Sequence, residues 1–501
     1  MTQKSIGHTV SDLREAQGLT QTELAKKLHT TQSAIARLES GKQNVSADML
    51  RKIGRALGKN LLTLSPGSMN LEVDGGKKLT GTILTNTSKN GAVGLLCASL
   101  LNRGKTTLHR MPRIEEVHRI IEVLESIGVS VVWHDTSVTI TPPKKFDLAG
   151  IDIEAAKKTR SIIMFIGALM HCIPSFSLPQ SGGCKLGSRT VRPHFYALEK
   201  FGVHIDTTDE AYEVTVKVKE AGEIVLYESG DTVTENALFA AALTDGTTVL
   251  KYASANYMVQ EVCAFLRHAG VTIEGIGTTT LTVTGVSKIN TDLEYTLSED
   301  PTDSMFFLTA AIITNSAITI TRCPIDFLEL ELLVLEKMGF KYTSTQPYLS
   351  TNGLTRLVDI TTKPSKLIAP PEKVHARPYP GLNADNLPFF AVIATQAEGQ
   401  TLIHDWMYEK RALYFTELDK LGAETVLADP HRIYITGKTT LRPAELVCPP
   451  ALRPATILLI AMLGAEGRSV LRNIYSINRG YEGLVERLST LGADIRYLEE
   501  F

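Results

Sequence analysis

One phrase of apolar and polar positions recurs six times along this chain. It reads leucine, two variable residues, an apolar or small residue, glycine, and another apolar or small residue. The copies run from Leu124 to Val129, Leu198 to Val203, Leu266 to Val271, Leu335 to Phe340, Leu418 to Ala423 and Leu488 to Ala493. Each predicts the last turn of an amphipathic helix closed by a left-handed glycine. Alternating strands follow, such as Ser130-Val131-Val132-Trp133 and Thr280-Leu281-Thr282-Val283. A second element repeats in register: an Ala-rich apolar helix, a short turn and a strand. It is seen at Ala240-Ala241-Ala242-Leu243 before Gly246 to Leu250, at Ala310-Ala311-Ile312, and at Ala461-Met462-Leu463 before Gly467 to Leu471. A spacing near 70 residues, with one wider gap before Gly422, is too long for common solenoids. Six α/β units forming two globular halves of three are expected.

The length of 501 residues predicts two or three domains. Hydrophobic content of 43% and charged content of 21% describe a soluble globular chain. No apolar run reaches membrane length, and Met1-Thr2-Gln3-Lys4 does not lead into a signal-peptide core. A cytoplasmic protein without a membrane partner is expected. Cys97, Cys172, Cys184, Cys263, Cys323 and Cys448 are scattered without CxxC pairs, which points to reduced thiols rather than a metal site or a disulfide framework. Charge is uneven. Residues 1–66 hold ten Lys and Arg against five Asp and Glu, so this head carries +5 and the remainder −7 of the net −2. A basic head on an acidic body predicts an anionic partner for the head alone.

Within the head, Thr20 with Glu23 has the spacing of a capping box ahead of Leu24-Ala25. A turn near His29-Thr30 leads into Thr31 to Glu39, which stops at Ser40-Gly41, and a further helix is expected from Met49 to Leu57. This is a helix-turn-helix pattern. Leu19-Thr20-Gln21, Glu23-Leu24-Ala25, Gln32-Ser33, Ile35 to Gly41 and Ser46 to Gly58 resemble the repressor/Cro-like (XRE) DNA-binding family. Gln32 and Ser33 would open the recognition helix and reach base edges, and Gln21 would touch the backbone. Arg37 and Lys42 are candidate phosphate contacts. The expected partner is double-stranded DNA, and a homodimer is the assembly such a head would use. Thr63-Leu64-Ser65-Pro66-Gly67-Ser68 is a turn-rich linker.

In the body, three strings place reactive or anion-binding side chains among glycines and helix starts: Ser88-Lys89-Asn90-Gly91, Lys158-Thr159-Arg160-Ser161, and Leu178 to Arg189 followed by His194. Cys184 sits on a polar glycine loop flanked by Lys185 and Arg189, surroundings that favour an exposed thiol of lowered pKa. Together with Glu299-Asp300, Tyr379-Pro380-Gly381 through Asp385, Glu409-Lys410-Arg411, Leu452-Arg453, Arg479 to Glu482 and Leu491 to Ile495, these strings resemble the enolpyruvyl transferases over the whole body. The likeness is nearest to those acting on UDP-N-acetylglucosamine in peptidoglycan synthesis.

The resemblance implies an α/β fold, a two-domain inverse α/β barrel of six repeated units, preceded by the small all-α head. It divides the chain into a head at 1–66, a linker with first strands of the second half at 67–88, a first half at 89–298 and a second at 299–501. It further implies that phosphoenolpyruvate and a UDP-sugar bind between the halves, with no cofactor and no metal. Lys89, Asn90, Arg189, Arg411, Arg453 and Arg479 would hold phosphoenolpyruvate. Asn90, Arg160, Arg189, Thr190, Val191, Arg192, Pro193, Asp385 and Met407 would hold the UDP-sugar. Lys89, Asp385 and Cys184 would be catalytic, Asp385 taking the hydroxyl proton and Cys184 protonating the methylene carbon.

The chain departs from the family pattern at three places. Ala451 stands where the family has an aspartate, Arg192 where it has an acidic residue, and Gly230-Asp231-Thr232 where it has Ser-Val-Gly. Three readings stay open: a working transferase for UDP-N-acetylglucosamine fused to a DNA-binding head, a regulator whose body senses a cell-wall precursor without turnover, and a transferase for another acceptor.

Overall fold

The structure, a computed structural model, describes residues 69–180 and 190–498 throughout. In the head it describes residues 7, 10, 11, 13–15, 18–28, 30–40, 49, 53 and 56. The repeat is built as its chemistry requires. Leu124, Leu198, Leu266, Leu335, Leu418 and Leu488 are all fully buried. Gly128, Gly202, Gly270, Gly339, Gly422 and Gly492 all have φ between +75° and +98°. Each glycine turns the chain out of a helical segment and into a strand, at Ser130–His134, Val203–Thr207, Thr272–Glu274, Lys341–Ser344, Glu424–Asp429 and Asp494–Leu498.

One copy differs: Arg411–Leu421, before Gly422, is a 3-10 helix rather than an α-helix. Its first residue, Arg411, is held by a buried ion pair to Asp405.

A Cβ added at Gly270 would meet nothing within 4 Å. Gly270→Ala therefore isolates the backbone cost of the left-handed conformation, expected at about 1–2 kcal/mol and readable as a lower denaturation midpoint.

Among the described residues of the body six sheets result, three on each of two cores. The first core takes the sheets centred on Thr106–His109, Ala211–Val216 and Thr247–Lys251. The second takes those centred on Asn70–Gly75, Arg356–Lys363 and Ala397–His404. Asn70–Gly75 lies antiparallel between Gly467–Arg472 and Asp494–Leu498, so the start and end of the body share one sheet. The chain thus crosses from the second half to the first and back. The two crossings touch where Thr87 bridges Glu299 and the Ser88 amide donates to the Ser298 carbonyl at 2.9 Å.

Each core is filled by three helices with almost no solvent face. Lys89–Ala98, Phe165–Leu169 and Asp231–Ala242 fill the first, and Pro301–Ile313, Leu387–Ala394 and Leu452–Gly464 the second. All residues of the Pro301 and Leu387 helices are buried, as expected of helices apolar on every side. Among the described residues no helix is long and apolar enough to cross a membrane.

Candidate active site

A helix buried along its whole length can place polar chemistry only at its ends, and its N-terminus carries unpaired amides and a partial positive charge. The charged residues of the body collect at such starts. Lys89 and Asn90 open the first helix behind the Ser88 cap, and Asp300 caps the Pro301 helix. Asp385 precedes the Leu387 helix, and Arg453 is the second residue of the Leu452 helix.

These groups form one electrostatic network. Arg453 donates from Nη2 to Asp385 Oδ2 at 3.0 Å and from Nη1 to the Tyr481 hydroxyl at 2.9 Å. Burial opposes ionisation of Asp385, but Arg453, Lys89 and Arg411 outweigh it and hold the pKa at about 2. Burial also opposes charge on Arg453, yet Tyr481, Asp385 and Asp300 keep it firmly protonated. Arg479 donates to Glu116 Oε2, 2.6 Å from Nη2, and thereby ties the C-terminal half to the first half across the cleft. Thr159 Oγ1 donates to the other oxygen of Glu116 at 2.7 Å. Lys89 lies among all of them. Burial lowers its pKa, Arg453 and Arg479 add to that, and Glu116 and Asp385 oppose it. The site is thus a set of closely placed cations and carboxylates, able to exchange an internal carboxylate for an anionic ligand.

The other sequence candidates occupy distinct places. Asn90 donates to the Tyr257 hydroxyl at 3.2 Å, and Arg160 donates to the Thr190 carbonyl at 2.8 Å. Val191 and Pro193 sit at the start of the Arg192–Glu199 helix, where the Arg192 amide donates to Thr190 Oγ1. The Asp231 carboxylate accepts from Ser254 Oγ at 2.6 Å and Asn256 Nδ2 at 3.2 Å. Ala451 is the buried N-cap of the Leu452 helix and gives it no side-chain cap. Arg411 is held by Asp405 (2.5 and 3.0 Å) and donates to the Ala384 carbonyl at 2.7 Å, so it braces the loop carrying Asp385. Met407 packs against the second core. Cys184 and Arg189 lie outside the described residues, as does Lys42 of the head.

Sequence reasoning missed Glu116, Asp405 and two buried carboxyls, Glu235 and Glu261. Glu116 reads as an ordinary acidic residue in a helix's first turn. Its one available signal is its place beside Glu115 on a helix that otherwise buries an apolar face. Glu261 Oε1 accepts from the Ser298 amide at 2.6 Å, while its other oxygen is buried without a partner. Burial, with Glu299 and Asp300 adding, raises Glu261 to about 8 despite the Ser298 amide. An acid whose pKa is raised on folding costs stability as pH climbs from its usual value towards 8. Glu261→Gln is therefore expected to be nearly neutral at pH 5 and stabilising at pH 9, by about 4–5 kcal/mol, in denaturation measured at both pH values.

In the head, the Thr20–Glu23 capping box is complete and Thr31 caps Gln32–Glu39. Gln32 Nε2 donates to Gln21 Oε1 at 2.7 Å, and Gln21 Nε2 donates to Glu39 Oε2 at 2.8 Å. Arg14 pairs with the same Glu39 at 2.6 Å. This chain of bonds fixes the side chain of Gln21 against Gln32, while Ser33 and Arg37 stay exposed. Of the expected Met49 to Leu57 helix, residues other than Met49, Ile53 and Ala56 lie outside the described residues. Among the described residues no group of His, Cys, Asp and Glu is placed to hold a metal ion.

Residues 73–488 match the family model described as EPSP synthase (3-phosphoshikimate 1-carboxyvinyltransferase), and residues 10–64 match a helix-turn-helix model. The UDP-N-acetylglucosamine 1-carboxyvinyltransferase of Treponema denticola is 33% identical over 429 residues, covering 85% of this chain and 99% of that protein. The protein of the same name from Bradyrhizobium diazoefficiens is 31% identical, over 85% and 98%. Among solved structures, the enolpyruvyl transferase NikO from Streptomyces tendae superposes with a TM-score of 0.75 at 24% identity, covering 87% of this chain and all of that one. EPSP synthase from Acinetobacter baumannii superposes at 0.66 and 18% identity, over 86% of this chain and all of that one.

Proposed function

The chain belongs to the EPSP synthase family and its body is an enolpyruvyl transferase; from that premise we propose that it transfers enolpyruvate from phosphoenolpyruvate to the 3-hydroxyl of UDP-N-acetylglucosamine, while its head binds double-stranded DNA. The observation that carries the reading is the cluster of Arg453, Arg479 and Asp385 around Lys89, with Arg453 and Lys89 also acting on Asp385. Phosphoenolpyruvate has two anionic groups, and fixed cations in a closed site stabilise both as charge develops.

In this mechanism Asp385 accepts the proton of the sugar hydroxyl, whose oxygen bonds to the enol carbon. The methylene carbon takes a proton, assigned to Cys184. Loss of that proton and of inorganic phosphate from the tetrahedral intermediate leaves the enolpyruvyl ether. A carboxylate held at about pKa 2 by Arg453 and Lys89 is a weak base. Anionic substrate drawing on Arg453 and Lys89 would weaken their hold on Asp385 and raise its basicity at the moment it is needed. Asn90, Arg160 and the Thr190 to Pro193 stretch are assigned to the UDP-sugar, with Met407 beside them. On this reading the protein is cytoplasmic, serves peptidoglycan synthesis, and divides at 1–66, 67–88, 89–298 and 299–501, a homodimer being the DNA-binding form.

The second reading, a sensor without turnover, is favoured by Ala451, which leaves this helix start without a carboxylate. The deciding experiment is phosphate release from phosphoenolpyruvate plus UDP-N-acetylglucosamine, with Cys184→Ala alongside. Acceptor-dependent release that the variant loses supports the transferase. Binding of the UDP-sugar without release makes the body a sensor, and no binding points to another acceptor, to which Arg192 and Asp231 would then belong.

A further inference from the structure

Tyr257 is a buried phenol beside the site, and the proposed reaction gives it no role. It is the first residue of the Tyr257–His268 helix, and the loop before it fixes its backbone. Asn256 caps that helix, its Oδ1 accepting from the Tyr257 amide at 2.9 Å. Asn256 Nδ2 donates to Asp231 Oδ2 at 3.2 Å, and Ser254 Oγ donates to Asp231 Oδ1 at 2.6 Å. The Ser254 amide donates to Thr234 Oγ1 at 2.9 Å, which ties the loop a second time to the Asp231–Ala242 helix. The ring is held by the second half. It meets Phe327 edge-on at 5.8 Å between centroids, and Phe327 meets Tyr379 at 5.2 Å, in the stretch that leads to Asp385.

The hydroxyl so placed faces two groups at the start of the Lys89 helix. It accepts from Asn90 Nδ2 at 3.2 Å, and Ser88, which caps the helix, is its second partner. Burial, with Asp300 and Asp385 adding, raises the phenol well above its usual range, so it stays neutral. A primary amide has two unlike ends, one donating and one accepting. The nitrogen end of Asn90 is turned to Tyr257, and its Oδ1 takes no protein bond among the described residues. An amide oxygen suits a hydroxyl or an N–H group and repels the phosphate and carboxylate of phosphoenolpyruvate.

We propose, on the premise that the body transfers enolpyruvate to a sugar hydroxyl, that Tyr257 is a positioning residue. By holding the nitrogen end of the Asn90 amide, it presents the Asn90 oxygen to a hydroxyl or amide N–H of the acceptor sugar. Asn90 then serves the acceptor alone, and phosphoenolpyruvate is left to Lys89, Arg453 and Arg479.

Tyr257→Phe removes the hydroxyl and keeps the ring. The test is steady-state kinetics of the full chain, taken through a double-mutant cycle with Asn90→Ala. In Tyr257→Phe the KM for UDP-N-acetylglucosamine should rise about fivefold to tenfold, the loss of one hydrogen bond. The KM for phosphoenolpyruvate and kcat should stay within about twofold of the parent. On the Asn90→Ala background Tyr257→Phe should add less than about twofold, because the group it positions is gone. A tyrosine that merely packs would leave the acceptor KM unchanged, or give the same loss with and without Asn90. Either result overturns the proposal. A matching rise in the KM for phosphoenolpyruvate also overturns it, since the amide nitrogen would then face the substrates. If the parent binds the UDP-sugar without turnover, calorimetric Kd values for the two ligands replace the KM values under the same expectations. A parent that neither binds nor turns over the UDP-sugar overturns the transferase reading and the role of Tyr257 together. A working parent with an indifferent Tyr257→Phe overturns the role of Tyr257 alone.

Discussion

Asp385→Asn is expected to lower kcat by about 10²- to 10⁴-fold, the range for removing a general base, with phosphoenolpyruvate still bound. Asparagine keeps the shape and leaves Arg453 its bond to Tyr481, so the loss reports on the proton acceptor rather than on the fold. A turnover within tenfold of the parent would remove Asp385 from the base role. The same variant has a signature in stability. The Asp385 pKa is depressed to about 2, so its contribution is present above the usual carboxyl value and is lost as pH falls towards 2. The parent chain should lose about 2 kcal/mol over that window, and Asp385→Asn should lack that slope in acid denaturation. Rate and acid slope together separate a base held by cations from a carboxylate that merely packs.

Arg411→Met should cost about 3–5 kcal/mol, the largest stability loss expected from any single change at the site. Both Arg411 and Asp405 are essentially unexposed, so removing the guanidinium leaves a buried carboxylate uncompensated. Adding Asp405→Leu should recover most of that stability, because a well-packed apolar pair is often as stable as a buried ion pair. Activity should stay low in the double variant. Arg411 also donates to the Ala384 carbonyl and is one of the cations holding Asp385 down, and neither effect returns with a leucine. Urea midpoints and steady-state rates on the three proteins decide the matter. Recovery of both together would reduce Arg411 to a packing residue.

How far the site could be read from the chain depended on sequence separation. The six leucine–glycine phrases were legible because burial of a leucine and a positive φ at glycine are settled within one helical turn. The helix starts at Lys89 and Arg453 were legible for the same reason. Arg411 was nominated as a substrate contact, but its partner Asp405, six residues away, gave no local sign of being fully buried. Glu116 and Arg479 are 363 residues apart, and nothing near either announces the other. Glu261 sits on a helix whose neighbours look like an ordinary amphipathic face, and it is sealed only when Ser298 arrives from 37 residues away.

The sequence by itself determined the period, the all-helical head, the two-half α/β architecture and the short list of charged helix starts, because side-chain size, backbone sterics and solvation act over a few residues. Only the tertiary structure decided which of those charges stand within reach of one another. It brought Glu116 under Arg479, pressed Asp385 down to about pKa 2 and lifted Glu261 to about 8. Those outcomes follow from Coulomb interactions and desolvation, which depend on distance through space and on excluded water, and the double crossing of the chain between its halves sets both.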